Sequence, residues 1–258
     1  MLTGQEIQIA ETGSHAARVG CASWSIPLRY AHEAATLGSH LQRYSQVFNC
    51  CEINSSFRRN HKPSTWQRWA ASVPGDFRFS VKVPRAITHD AKLKSAPELL
   101  TDFLQQVRYL DGKLGPLLIQ TPPSLEFEIG AVSEFFSLLR QHYNGDVVCE
   151  PRHSSWFLDR ADQCLQEFQV ARAASDPACV PKAADAGGFQ TLAYFRLHGS
   201  PRLYYSRYPE EFVKRLAKKL EKFATTLRVW CVFDNTASGW AFENALQVTR
   251  GLGIAGNC

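Results

Sequence analysis

Three pairs of polar side chains, each pair two residues apart, close short apolar runs in this chain. They are Glu52 and Asn54, Glu150 and Arg152, and Arg196 and His198. In an extended strand, residues i and i+2 point to the same side. Lys82, Gln120, Asp176 and Asp234 end four further runs with one polar group apiece. Carboxylates, guanidinium groups, an amine and imidazoles meeting at one place can hold an anion and move a proton. The candidate catalytic groups are Glu52, Glu150, His198 and Asp234, with either glutamate as base and His198 as partner acid. Arg152, Arg196 and Lys82 are the candidate anion holders. Asn54, Gln120 and Asn235 stand beside them, and Trp24 and Trp156 are candidate stacking walls. His153 is included as a loop group, although its parity turns it away from its neighbour Arg152.

The elements that must position these groups follow from periodicity. Strands are expected at 18–22, 50–54, 77–83, 117–120, 147–150, 170–175, 192–197 and 228–233. Most precede a run with helical spacing, such as Leu100, Phe103, Leu104 and Val107, or Val132, Phe135, Phe136 and Leu139. Ser39 is the expected cap of the first helix. Ser64 to Gln67 has the spacing of a capping box, and 234–236 are expected to cap the last helix. Residues 177–190 are rich in Pro, Ala and Gly and show no helical period. Eight strands joined by helices predict an α/β fold, a TIM-like (β/α)8 barrel with the sixth helix replaced by an irregular loop. In that fold function gathers at the C-terminal strand ends, where the polar pairs lie. The alternative is an open doubly wound sheet, but no G-x-G-x-x-G or Walker sequence follows any strand.

Length and composition agree with a barrel. The 258 residues suit one large domain over 17–258 after a loose lead-in at 1–16, and 45% apolar content supplies a core. A net charge of +5 permits an anionic ligand without requiring nucleic acid. Eight cysteines form no C-x-x-C, and most sit in apolar runs, so a reducing cytoplasm is expected rather than disulfides or zinc. No leader sequence or membrane span is expected. Glu52, Glu150, His198 and Asp234 invite a metal reading. No H-E-x-x-H accompanies them, however, and the neighbouring cations would repel a metal ion, so no metal and no cofactor are expected. No G-x-S-x-G is present to support a serine hydrolase.

Ordered motifs along the chain resemble the DUF72, or YecE-like, family. They are Glu52-Ile53-Asn54-Ser55-Ser56-Phe57, Phe77 to Lys82, Ile87-Thr88-His89, Leu114 to Pro123, Glu150 to Trp156, Arg196-Leu197-His198-Gly199, and Phe233 to Thr236. The resemblance implies a TIM-like barrel and leaves the activity unspecified, because the family is named for its unknown function. This chain departs from the family pattern at Gly20 to Ile26, Arg58, Pro151 and Asp234.

Three functional readings are open at this point. The first is an enzyme, a hydrolase or lyase, acting on a small anionic substrate such as a phosphate ester. The second is a nucleic-acid binder or nuclease using Arg58, Arg59, Lys62, Arg202 and Arg207 interleaved with Tyr204, Tyr205 and Tyr208. The third is a non-catalytic ligand-binding scaffold. Oligomeric state is not legible.

Overall fold

A computed structural model describes residues 17–94 and 97–254. The expected lead-in at 1–16 lies outside the described residues. The strands are β1 (Arg18–Ala22), β2 (Cys50–Ile53), β3 (Arg78–Lys82), β4 (Leu114–Gln120), β5 (Val147–Glu150), β6 (Val170–Arg172), β7 (Ala174–Asp176), β8 (Gly187–Gly188), β9 (Leu192–Leu197) and β10 (Arg228–Phe233). Their order in one sheet is β7-β9-β10-β1-β2-β3-β4-β5-β6-β8. All pair in parallel except β8, which lies antiparallel on β6.

Only Ala173 separates β6 from β7, and its N–H bonds Cys149 O at 2.8 Å. The same segment therefore pairs first with β5 and then with β9, which brings the sheet round to an almost closed barrel. Ala171 and Ala173 belong to the inner apolar cluster and Ala174 to the outer one, so side-chain alternation continues through the break.

That alternation sorts every strand. Cys50, Leu118, Val148, Leu192, Tyr194, Trp230 and Val232 fill the lumen. Cys51, Phe79, Val81, Leu117, Ile119, Cys149, Phe195 and Cys231 face the helices. The lumen is thus apolar lower down, and charged groups continue the same inward parity at its C-terminal end.

The helices are α1 (His40–Val47), α2 (Pro63–Ala71), α3 (Pro97–Val107), α4 (Ile129–His142), α5 (Asp159–Glu167), α6 (Glu210–Ala224) and α7 (Trp240–Gly251). The stripes expected for α3 and α4 are the buried ones. Ser39 caps α1 in a capping box with Gln42. The box expected at Ser64 is not formed. α2 starts a residue earlier, at Pro63, whose fixed φ suits the first helical position, and Lys62 precedes it without a side-chain cap. Nor do Asp234, Asn235 or Thr236 cap the last helix. Gly239, at φ 73°, stands before α7, while Asp234 and Asn235 are drawn into other networks. Between β7 and β9 only a 3-10 turn at Pro181–Ala184 and the two residues of β8 form, in keeping with the irregular loop.

Candidate active site at the barrel mouth

Arg196 is the hub of the mouth. It projects inward from β9 and is fully buried. Its Nε donates to Glu52 Oε1 and Oε2 at 3.1 and 3.0 Å, and its Nη2 donates to Glu52 Oε1 at 2.6 Å. Nη2 also meets Asp234 Oδ2 at 2.9 Å, and Nη1 donates to Glu150 Oε2 at 3.1 Å. One guanidinium therefore gathers carboxylates from β2, β5 and the end of β10. Below it, the Tyr194 hydroxyl donates to Glu52 Oε2 at 2.8 Å and lies 3.0 Å from Ser80 Oγ. Tyr194 in turn stacks on Trp230, so Glu52 is held from two directions.

His198 bridges the other two acids. Its Nδ1 lies 3.1 Å from Asp234 Oδ2 and its Nε2 2.8 Å from Glu150 Oε1. A proton on either ring nitrogen therefore meets a carboxylate. Arg152 closes the outer side, with Nη2 2.5 Å from both Glu150 Oε1 and His198 Nε2. Gln120 Nε2 donates to Glu150 Oε2 at 3.1 Å. Burial by itself would raise Glu150, but Arg152, Arg196 and His198 outweigh it and hold the carboxyl well below the usual range. Asp234 is lowered in the same way, burial being overcome chiefly by Arg196 and then by His198.

Lys82 differs from its neighbours. It points into the same mouth from β3, yet its amine has no ion pair or hydrogen bond among the described residues. Its Nζ lies 4.1 Å from the centre of the Phe57 ring. Burial, reinforced by the Arg196 charge and only partly opposed by Glu52, Glu150 and Asp234, lowers it to about 8. The ionic set is sealed from below and open on one side. Glu52, Glu150, Arg196 and His198 are 0% exposed, whereas Lys82, Asp234 and Gln120 are 8%, 8% and 9% exposed and the Arg152 side chain 16%. The reachable groups are these last four.

The structure thus brings together Glu52, Lys82, Gln120, Glu150, Arg152, Arg196, His198 and Asp234. It gives Arg196 a different task from holding a ligand, because its donors are already directed at three carboxylates. Trp24 packs edge-on against Trp69 and Phe79 in the helix layer. Trp156 is fully buried, and its indole N–H donates to Leu125 O. His153 accepts from Ser155 N and so caps its own turn. These three do not join the cluster. Asn54 follows the end of β2 in helical backbone, where strand parity no longer applies. Asn235 donates to Ser206 O and Asn244 Oδ1, securing the loop after β9. Asp176 receives the Tyr208 hydroxyl instead of entering the mouth.

Two members are not among the candidates named from the sequence: Tyr194, and Ser80, which shares the Lys82 side of its strand. Tyr194 stands two residues before Arg196 and Ser80 two before Lys82, so the i, i+2 signal was available for both. Four buried polar atoms without a partner among the described residues also sit just past or near strand ends: Asn54 Oδ1, Thr121 Oγ1, Arg152 Nε and Asn235 Oδ1. A cleft of about 560 Å³ borders the mouth, lined by Phe57, Arg58, Arg59, Asn60, Arg85 and Asp90 among others. Among the described residues no group of acids, histidines or cysteines has the arrangement of a metal site, and no helix is long and apolar enough to cross a membrane.

Comparison with known proteins gives a consistent result. A family profile described as "Protein of unknown function DUF72" matches residues 18–257. UPF0759 protein YecE of Escherichia coli strain K12 is 32% identical over 141 residues, which is 54% of this chain and 49% of that protein. This chain therefore spans about half the length of that relative. UPF0759 protein YunF of Bacillus subtilis is 24% identical over 83% of this chain and 86% of its own. A crystal structure of a DUF72 family protein from Enterococcus faecalis has a TM-score of 0.77 at 21% identity, covering 93% of this chain and 96% of that one. One from Thermotoga maritima has a TM-score of 0.76 at 24% identity, covering 93% and 100%. At these identities the solved structures speak for the fold alone. The chain belongs to the DUF72 family.

Proposed function

We propose that this protein is an enzyme that takes a small anionic substrate, such as a phosphorylated or carboxylated metabolite, at the barrel mouth and works by acid–base catalysis. Hydrolysis and elimination are the reaction types that fit such groups. The observation that carries the reading is the Lys82 ammonium, which touches no carboxylate among the described residues and stands at the open side of an otherwise paired network. Arg152 supports it, since its Nε has no partner among the described residues while its Nη2 is held by Glu150. An anion seated between them would supply what both lack. Asp234, His198 and Glu150 form a continuous hydrogen-bonded path along which a proton can pass. No metal or cofactor enters this proposal. Seven described cysteines are free thiols, six of them buried, which suits a reducing cytoplasm.

Thermal unfolding with a panel of phosphorylated and carboxylated metabolites tests the reading. A ligand at about 100 times its Kd should stabilise the fold by about 2.7 kcal/mol, a rise of several degrees. The rise should vanish in Lys82→Met and shrink in Arg152→Ala. If no anion stabilises the protein, or the rise survives in Lys82→Met, the proposal fails.

A second reading rests on the cleft with exposed Arg58 and Arg59 and on exposed Tyr204 and Tyr205, where Arg202 lies 4.0 Å over the Tyr205 ring. These suit a nucleic-acid strand. Arg207 is paired with Glu243, however, and Tyr208 is buried, which breaks the rim. Oligonucleotide binding that weakens steeply with salt would favour this reading. Ligand binding without turnover would favour a scaffold.

A further inference from the structure

We propose that Lys82 is a nucleophile, forming a covalent imine with the aldehyde or ketone carbonyl of the substrate. The inference deepens the anionic-substrate reading and rests on it for the substrate's charge. Lys82 is the last residue of β3, where strand ends of a barrel deliver reactive groups. Its Nζ rests on the Phe57 ring and is tied to no carboxylate. The charges that act on it are Arg196 from β9, Glu52 from β2, Glu150 from β5 and Asp234 after β10. An amine desolvated against an aromatic ring and placed beside a second cation is the setting in which lysine becomes nucleophilic near neutral pH.

The neighbouring groups also match the chemistry. Leaving His198 aside, the mouth holds three carboxylates, Glu52, Glu150 and Asp234, against two guanidinium groups, Arg196 and Arg152. One further positive charge balances the set, and either an ammonium or an iminium at Lys82 provides it. His89 lies just beyond, in a single wide π turn at Ala86–Asp90 that follows β3. Its ring meets Phe57 edge-on at 5.0 Å, and its Nδ1 lies 2.9 Å from Thr88 Oγ1. Burial, with Lys82 and Arg85 close by, pushes His89 below the usual imidazole range. It is therefore neutral near pH 7 and available as a base.

The step balances without an oxidant or reductant. The ammonium first gives one proton to a neighbouring base. The nitrogen lone pair then forms a bond to the carbonyl carbon while the C=O π pair moves to oxygen, and one proton passes from that nitrogen to the oxygen to give a neutral carbinolamine. The base returns its proton to the hydroxyl, which leaves as water as the nitrogen lone pair forms C=N. Of the three hydrogens on the ammonium, two leave in water and one remains on the iminium. The iminium then withdraws electrons from the adjacent carbon, so a proton or a carbon group can leave from there.

The test is reductive trapping on the full chain with cyanoborohydride and glyoxylate, a small anionic aldehyde, followed by peptide mass mapping. Acetaldehyde serves as the uncharged comparison. At pH 8 Lys82 should be labelled at least ~10-fold faster than the average lysine, because an exposed amine near 10.4 is less than about 1% neutral there. Labelling should be half-maximal near pH 8. In Lys82→Arg the label at this position should disappear while the melting temperature stays close to the parent. Labelling of surface lysines that spares Lys82 in the folded protein overturns the proposal. If anions stabilise the fold but Lys82 is not trapped, the amine only binds charge and the proposal falls while the anion reading stands. If acetaldehyde labels Lys82 as fast as glyoxylate does and no anion stabilises the fold, the nucleophile stands and the anion reading falls.

Discussion

Arg196 and Lys82 look alike in the sequence, each a cation closing an apolar run, yet the fold assigns them opposite positions. Arg196 is surrounded by Glu52, Glu150 and Asp234, whereas Lys82 has no ionic partner among the described residues. Removing the hub leaves three carboxylates buried against one another. Arg196→Met should therefore cost roughly 3–5 kcal/mol of stability, read from urea denaturation. Arg196→Lys should recover only a minor part, because an ammonium cannot reproduce the two-sided contact with Glu52. A loss below about 1 kcal/mol would mean that the carboxylates neutralise themselves by taking up protons, and the hub assignment would be wrong. The contrast also marks what the sequence could convey about this cluster. Strand parity places eight of the candidate groups in one mouth, because a period of two is a property of the backbone. Parity cannot say which charges are already satisfied by each other. That depends on reach across the lumen between residues 144 apart, as for Arg196 and Glu52. Trp24 and Trp156 were ambiguous for a related reason: an indole suits a core as well as a pocket wall, and only packing decides.

At the level of elements, most strands and helical stripes were legible because periodicity is repeated over many residues. The starts of helices were less so. Ser39 caps α1, but Pro63 pre-empts the box at Ser64, and Asp234 is held by Arg196 and His198 instead of capping. A polar residue near a helix start has several possible partners, and the tertiary ones outweigh a cap worth about 1 kcal/mol. The junction of β1 and β2 shows a constraint that no periodicity reveals. The Tyr44 hydroxyl from α1 accepts from Cys21 N at 2.7 Å and donates to Cys50 O at 3.1 Å. It fits there because Gly20 has no side chain. A Cβ at that position would lie 2.1 Å from Cys50 O and 2.8 Å from the Tyr44 hydroxyl. Gly20→Ala should therefore push β1 off β2 and cost about 1–3 kcal/mol, with amide exchange accelerated first at Cys21. An unchanged denaturation midpoint would show that the two strands can part without loss.

For the whole molecule, the buried ionic set makes stability depend on pH in two windows. Glu150 and Asp234 are lowered in the fold, so between their folded and unfolded values the unfolded chain binds more protons. Their contribution is complete above the unfolded values of about 4 and is lost as pH falls through the folded ones. Lys82 is lowered too, but it is a base, and the consequence differs. Between its folded value of about 8 and an unfolded one of about 10.4, the unfolded chain holds the proton and the fold does not. Stability from this group therefore rises with pH across that window, and below pH 8 the penalty for burying the ammonium is present in full. Tyr44, Tyr194 and Cys50 act in the opposite sense, because burial raises them and they resist ionising in the fold. The lysine effect must therefore be isolated as a difference between two proteins. Urea denaturation of the parent and Lys82→Met from pH 6 to 10.5 provides it. The variant should be more stable by on the order of 1–3 kcal/mol near pH 6 to 7, and the gap should close towards pH 10.5. A gap that stays constant across the range would mean that Lys82 titrates alike in the folded and unfolded chains. The amine would then be an ordinary ammonium, and the nucleophile would lose its physical basis while the anion site kept its cation.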